Sequence, residues 1–426
     1  MGKRKTYKLT ALGAAVALAA TLSIQSSATA STRRTQDAPV LTDAQIAAMP
    51  PTAQALYLAP LRAAATALGA YGRTAGTDLF GSVGLNANNG TVDLYLTHPA
   101  QATTFEQAAR SAAAAGLLGS VDLSLVRVHQ ATFSRSAMDT SISGFLARPH
   151  SYPVYGASAN PDASGITVEV RDPAAAQAAE AAQPASAGPT LTFAQGSPRV
   201  AKSWNDVKWH DSRPFIGGDV LTPDGYNYCS AGLPAVRTSD NVTILVTAAH
   251  CFGVGTLVYT GGGATFAYGN GQIGNPVGQV TARAQQWDAE TMPAQNNADE
   301  SDTTTYYALT STAYSYNGDY VCQAGARSAA LGHPTPCGIK VTNQDLYFPV
   351  SNYTVRGVEG VDVNGWGSVS GDSGGTVFAV SGNTTRQLRG IVSAGGQDGT
   401  ASQKVVDWTE AIDIFNQFGL KLNPVT

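Results

Sequence analysis

The 426 residues exceed what one hydrophobic core ordinarily serves and point to two or three domains. Hydrophobic residues make up 43% against 13% charged, with 45 Gly and 21 Pro, which excludes wholesale disorder and favours a chain rich in turns. Thirty acidic against 26 basic residues give a formal charge of -4, leaving no basic surplus for a nucleic acid partner.

In chain order, Lys3, Arg4, Lys5 and Lys8 precede a nearly all-apolar stretch from Leu9 to Leu22, and Ala28-Thr29-Ala30 supplies a small-x-small cleavage pattern. Residues 1–30 are therefore expected to be a secretory signal. The stretch is shorter than the roughly 20 residues that span a bilayer, so a soluble exported product with no membrane anchor is expected. Outside the cytoplasm thiols tend to pair, and the four cysteines suit two disulfides.

From Ser31 to about Val200 the sequence is Ala-rich and free of Cys. Thr42-x-x-Gln45 is a capping-box pattern ahead of apolar residues at Ile46, Leu56, Leu58 and Leu61, interrupted by Pro50 and Pro51. Thr104 to Leu118 reads as a second helix. Thr91 to Leu96 and Ile166 to Val170 alternate with period two between turn residues, so a small α+β domain is expected over 31–200. Its end, Asp172 to Pro198, has the composition of a solvated, protease-accessible connector.

Residues 201–426 are dominated by Gly, Tyr, Thr and Val in short runs bounded by turns, which argues for an all-β barrel or sandwich. Asn241 to Val246 reads as a strand delivering Thr247-Ala248-Ala249-His250-Cys251 at its exit. Downstream, Gly371-Asp372-Ser373-Gly374-Gly375 places a serine between glycines whose missing side chains allow a sharp turn and space for a carbonyl. The amides of Gly371 and Ser373 suit an oxyanion hole, worth roughly 3 to 4 kcal/mol per donor. An α/β-hydrolase would need a histidine after the serine, yet all six histidines precede Ser373. The subtilisin order requires an Asp before the His in a βαβ fold that this half does not display. The last stretch, Val405 to Leu422, sets Val405, Trp408, Ile412, Phe415 and Phe418 at helical spacing and predicts a packing helix.

The His250 and Ser373 motifs together resemble those of chymotrypsin-like serine proteases, nearest to the secreted actinobacterial streptogrisin and alpha-lytic type, over about 220 residues. The resemblance implies two six-stranded antiparallel β-barrels with a C-terminal helix, preceded by a pro-region that assists folding. It further implies the disulfides Cys229–Cys251 and Cys322–Cys337, and an Asp between His and Ser. Asp288 in Trp287-Asp288-Ala289-Glu290-Thr291-Met292 fits that role best, and Asp302, in a polar stretch, is the runner-up. Implied lining of the specificity pocket is Gly367 and Ser368 on one wall and Ser393, Ala394 and Gly395 on the other. No carboxylate is present at Gly367 to pair with Lys or Arg, so an apolar or aromatic residue before the cut is expected. Thr376 stands where Pro commonly follows the glycine pair. Ile216-Gly217-Gly218 is similar to a protease N-terminus but follows Pro214-Phe215, a poor site for releasing an Ile amine, so activation by an inserted ammonium is not expected.

The resulting expectation is a secreted serine endopeptidase, made as a proenzyme and monomeric, with polypeptide substrates, its own pro-region as a partner in cis and no cofactor or metal. Two alternatives stand beside it: a binding protein that keeps the barrel but no longer cleaves, and an esterase on the same three residues.

Overall fold

The helix over Asp43–Ala47 is opened by Thr42, whose hydroxyl accepts from the Gln45 amide while the Gln45 side chain accepts from the Thr42 amide. Pro50 and Pro51 end that turn, and Pro51 at the first helical position starts the long helix Pro51–Thr74, where a missing N–H costs nothing. In this computed structural model of the chain, the described residues are 40–115, 121–182, 188–198, 200–201, 208–262, 271–301 and 305–423. The expected signal and the runner-up Asp302 lie outside them.

Strands Phe80–Asn86, Thr91–Leu96 and Val126–Gln130 form a three-stranded sheet, and Thr91–Leu96 alternates buried and half-buried residues as its period-two sequence requires. Helix Pro51–Thr74 packs Leu58, Leu61 and Leu68 with Phe80, Val92 and Leu94 of that sheet, and Tyr316 and Tyr320 of the C-terminal half complete the same core. Helix Ala102–Ala115 occupies the place predicted for the second helix. The stretch read as a solvated connector is partly built structure: Pro173–Ala181 is helical, capped by Asp172, and Leu191–Gln195 pairs in parallel with Ile166–Val170. Composition misleads there because Ala and Pro also suit a Pro-started, Ala-filled helix whose Ala176 is buried.

The second half is mostly strands. Thr243–Ala248 lies inside a five-stranded antiparallel sheet, between Leu233–Arg237 and Ala289–Pro293, with Ala282–Ala284 and Leu420–Leu422 at the edges. A central strand is covered on both faces, which is why its sequence is a continuous apolar run. The other large assembly is a 13-stranded sheet around Tyr320–Ala324, Cys337–Val350, Thr376–Val380 and Thr385–Gly395. Strand pairing among the described residues does not trace two separate six-stranded rings, because strands of the N-terminal segment extend this sheet. Val154–Ala159 pairs with Leu346 and Tyr347 of the hairpin formed by Cys337–Val350 and Tyr353–Asp362.

The predicted helix over 405–422 is corrected: Val405–Glu410 is a strand between Tyr353–Asp362 and Thr385–Gly395, and the helix covers only Ala411–Phe418 before Gly419 ends it in the left-handed region. Trp408 is wholly buried in the sheet. Disulfides join Cys229 to Cys251 and Cys322 to Cys337, closing loops with sequence separations of 22 and 15. In the chain-entropy account each contributes roughly 3 kcal/mol. No helix among the described residues is long and apolar enough to cross a membrane.

Candidate active site

His250 follows the exit of strand Thr243–Ala248, one residue before the disulfide-bonded Cys251. Facing it, the turn Gln285–Trp287 ends on Asp288, held at φ 41 in the left-handed region that Asp tolerates better than most side chains. Two backbone bonds fix the pair of elements: the Ala249 amide donates to the Asp288 carbonyl at 2.9 Å, and the His250 amide to Oδ1 of Asp288 at 3.0 Å. Nδ1 of His250 lies 2.8 Å from Oδ2 of Asp288, and both side chains are buried. With Nδ1 donating to the carboxylate, Nε2 is left as an acceptor, and Oγ of Ser373 lies 2.8 Å from it. The structure thus brings His250, Asp288 and Ser373 into one hydrogen-bonded line.

The serine loop is shaped by glycines that nothing larger can replace. Gly374 has φ 84, and a Cβ there would lie 2.2 Å from Thr247 Oγ1 and 2.3 Å from the Ser230 carbonyl. Gly371 has φ 109, and its carbonyl accepts from Ser230 Oγ at 2.8 Å. Among the described residues neither the Gly371 nor the Ser373 amide is engaged in a hydrogen bond, so both remain available to an oxygen. Asp372 is wholly buried and anchors the loop from inside. Its carboxylate accepts from the Ser328 amide and hydroxyl, from Gln323 Nε2 at 3.0 Å and from the Val369 amide at 2.9 Å. Burial pushes its pKa up, and these donors oppose the shift. Sequence reading missed Ser328 and Gln323, which lie 44 and 49 residues before Asp372. Phe215–Gly217, which includes Ile216, is a strand paired with Asn296–Ser301, and Thr376 donates to the Gly232 carbonyl at 2.7 Å.

The residues expected to line a pocket are placed differently from one another. The Ser393 hydroxyl donates to Oδ2 of Asp288. Alternation along Thr385–Gly395 then turns Ala394 to the cluster of Leu346, Phe348, Val350 and Val355. Gly367 packs against the backbone of Gln403 and Lys404, and Ser368 is wholly buried. A cavity of about 470 Å³ opens beside them, lined by Trp366, Val369 and Ser370 on one side, Asp398 and Gln403 on the other, and Arg327. Asp398 accepts from the Ser370 amide at 3.0 Å, tying its own turn to the residue before Gly371.

Two further features bear on access. Ser373 is completely buried. The short strand Val200–Ala201 pairs antiparallel with Ala394 and Gly395, on the strand edge next to the serine. Cys229, His250 and Cys251 bring ligand-type atoms within 4.8 Å of one another, but both sulfurs are committed to the disulfide.

No protein-family model matches this chain, and no curated protein matches its sequence. Over about half its length it is similar to solved structures. Nocardiopsis protease is 22% identical with a TM-score of 0.37, covering 49% of this chain and 98% of that one. Thermobifida fusca protease A is 20% identical with a TM-score of 0.38, covering 50% and 98%. Cellulomonas bogoriensis chymotrypsin is 18% identical with a TM-score of 0.36, covering 49% and 97%.

Proposed function

We propose that the chain is a secreted serine endopeptidase made as a proenzyme, with Ser373 as nucleophile, His250 as general base and acid, and Asp288 as the carboxylate that orients the imidazole. The observation that carries this reading is the line of two 2.8 Å hydrogen bonds from Ser373 Oγ through His250 to Asp288. In the proposed step, His250 Nε2 takes the hydroxyl proton as Ser373 Oγ bonds to the scissile carbonyl carbon, and the amides of Gly371 and Ser373 receive the oxygen's developing charge. The imidazolium then gives its proton to the departing amine as the C–N bond breaks. Water, deprotonated by His250, attacks the acyl ester and restores the serine.

Residues 31 to about 200 are read as the pro-region. The pairing of Val200–Ala201 on Ala394 and Gly395 supports this, because an extended segment added to that edge occupies the course a peptide substrate would take beside the serine. With no carboxylate supplied at Gly367, the residue before the cut is apolar or aromatic in this reading.

A serine-directed phosphonate probe tests it. Once the segment before about residue 200 is shed, Ser373 is expected to be labelled in the wild type, and labelling is lost in His250→Ala. A folded, processed protein that stays unlabelled contradicts the assignment and leaves a binding protein.

A further inference from the structure

One strong contact at the site belongs to a residue with no place in the three-residue scheme. Tyr353 opens the second strand of the hairpin 337–362, and its hydroxyl donates to Oδ1 of Asp288 at 2.7 Å. The carboxylate therefore receives four donors. Oδ1 takes the His250 amide and Tyr353, and Oδ2 takes His250 Nδ1 and Ser393. Two of the four come from His250 itself, and the other two approach from sequence separations of 65 and 105 residues. We infer that Tyr353 is a positioning residue of the proposed reaction: by holding Oδ1, it fixes the carboxylate plane and keeps Oδ2 on His250 Nδ1. This rests on the endopeptidase reading above.

The physical case has three parts. First, a carboxylate bound through one oxygen can swing about its Cβ–Cγ bond, whereas one held at both oxygens by donors from separate elements cannot. Second, the phenol is a dependable donor. Burial first, then the adjacent Asp288, raises its pKa well above the ordinary phenol range, so it stays protonated wherever the enzyme would work. Third, its ring is fixed by packing against the Phe348 and Val355 cluster that also contains Ala394, the neighbour of Ser393. The turn Gln285–Trp287 that delivers Asp288 packs against the same strand. On its other side the hairpin carries Val154–Ala159, so the donor to Asp288 rides on an element that the N-terminal segment extends.

The titratable and charged groups around Asp288 are His250, Tyr353, Arg283 and Glu290. Arg283 lies 5.9 Å from the Tyr353 ring and donates to the Ala249 carbonyl. Burial pushes Glu290 up to about 8, so it is largely neutral at pH 7. Removing the tyrosine hydroxyl leaves more of the Asp288 charge to stabilise an imidazolium. His250 must be neutral to accept the serine proton, so the acid limb of activity moves to higher pH in Tyr353→Phe.

The test uses the full chain, processed as it is secreted. In Tyr353→Phe, kcat is expected to fall about tenfold with KM within about twofold, the loss of one hydrogen bond to a charged group. The acid limb of kcat/KM is expected to rise by about half a pH unit. Titration of the His250 imidazole by NMR, in a Ser373→Ala background with and without Tyr353→Phe, reads the same upward shift without turnover. An unchanged His250 titration overturns the inference, as does a fall in kcat that leaves the acid limb in place, since packing alone would give that. Failure of the wild type to take the phosphonate probe marks failure of the endopeptidase reading instead, and the NMR comparison distinguishes the two.

Discussion

Asp288 carries the most constraint per residue. It is wholly buried, sits at positive φ, and its carboxylate is saturated by donors from three parts of the chain. An anion so placed persists because its partners supply the solvation that water no longer does. In the proposed mechanism its service is to select the imidazole tautomer with Nδ1–H toward the carboxylate. Asp288→Asn sets an NH2 group against two of the four donors and favours the wrong tautomer, so we expect kcat on a peptide substrate to fall by about 10³- to 10⁴-fold with the disulfides intact. Steady-state kinetics on the purified variant check this, and activity within tenfold of the wild type would remove Asp288 from its role.

At the scale of elements, the legible parts of the sequence were those whose information is local. The capping box at Thr42 and Gln45, the alternating strand Thr91–Leu96 and the glycine-bounded serine loop each encode their own geometry within a few residues. Asp288 was singled out by resemblance, from the apolar residue in register after it, and it adjoins the strand that pairs with the histidine strand, Ala248 opposite Ala289. Tyr353, Gln323 and Ser328 were not, and Ser393 was singled out for a pocket wall and not for its bond to Asp288, since nothing in their neighbourhoods records a partner dozens of residues away. Val405 to Leu422 misled for another reason: a strand buried on both faces shows no alternation, and Val405 and Trp408 happened to continue the spacing of the true helix Ala411–Phe418.

Docking of the N-terminal segment is also an affair of elements. Arg62, on helix Pro51–Thr74, donates to Asp319 at 2.8 Å and to the Val380 and Tyr320 carbonyls at 2.9 and 2.8 Å. Arg389 holds the other oxygen of Asp319 at 2.9 Å. Arg62→Ala removes three donors at once and leaves Asp319 Oδ1 with the Tyr320 amide. The uncut chain is expected to lose about 3 kcal/mol in denaturant unfolding. An unchanged midpoint would show that this contact does not hold the segment in place.

For the whole molecule, the N-terminal segment and the C-terminal half share cores and a sheet: Tyr316 and Tyr320 complete the segment's hydrophobic cluster, and Val154–Ala159 extends the hairpin 337–362. The proenzyme reading makes that union a stage, ended by cleavage near residue 200, after which the edge at Ala394 and Gly395 is free to take a substrate strand. The most direct measurement is cleavage of a peptide bearing an apolar residue before the target bond, by the processed wild type and by Ser373→Ala secreted and processed alike. The account predicts cleavage by the wild type and none by the variant. Equal cleavage by both, or none by a folded, processed wild type, would contradict it.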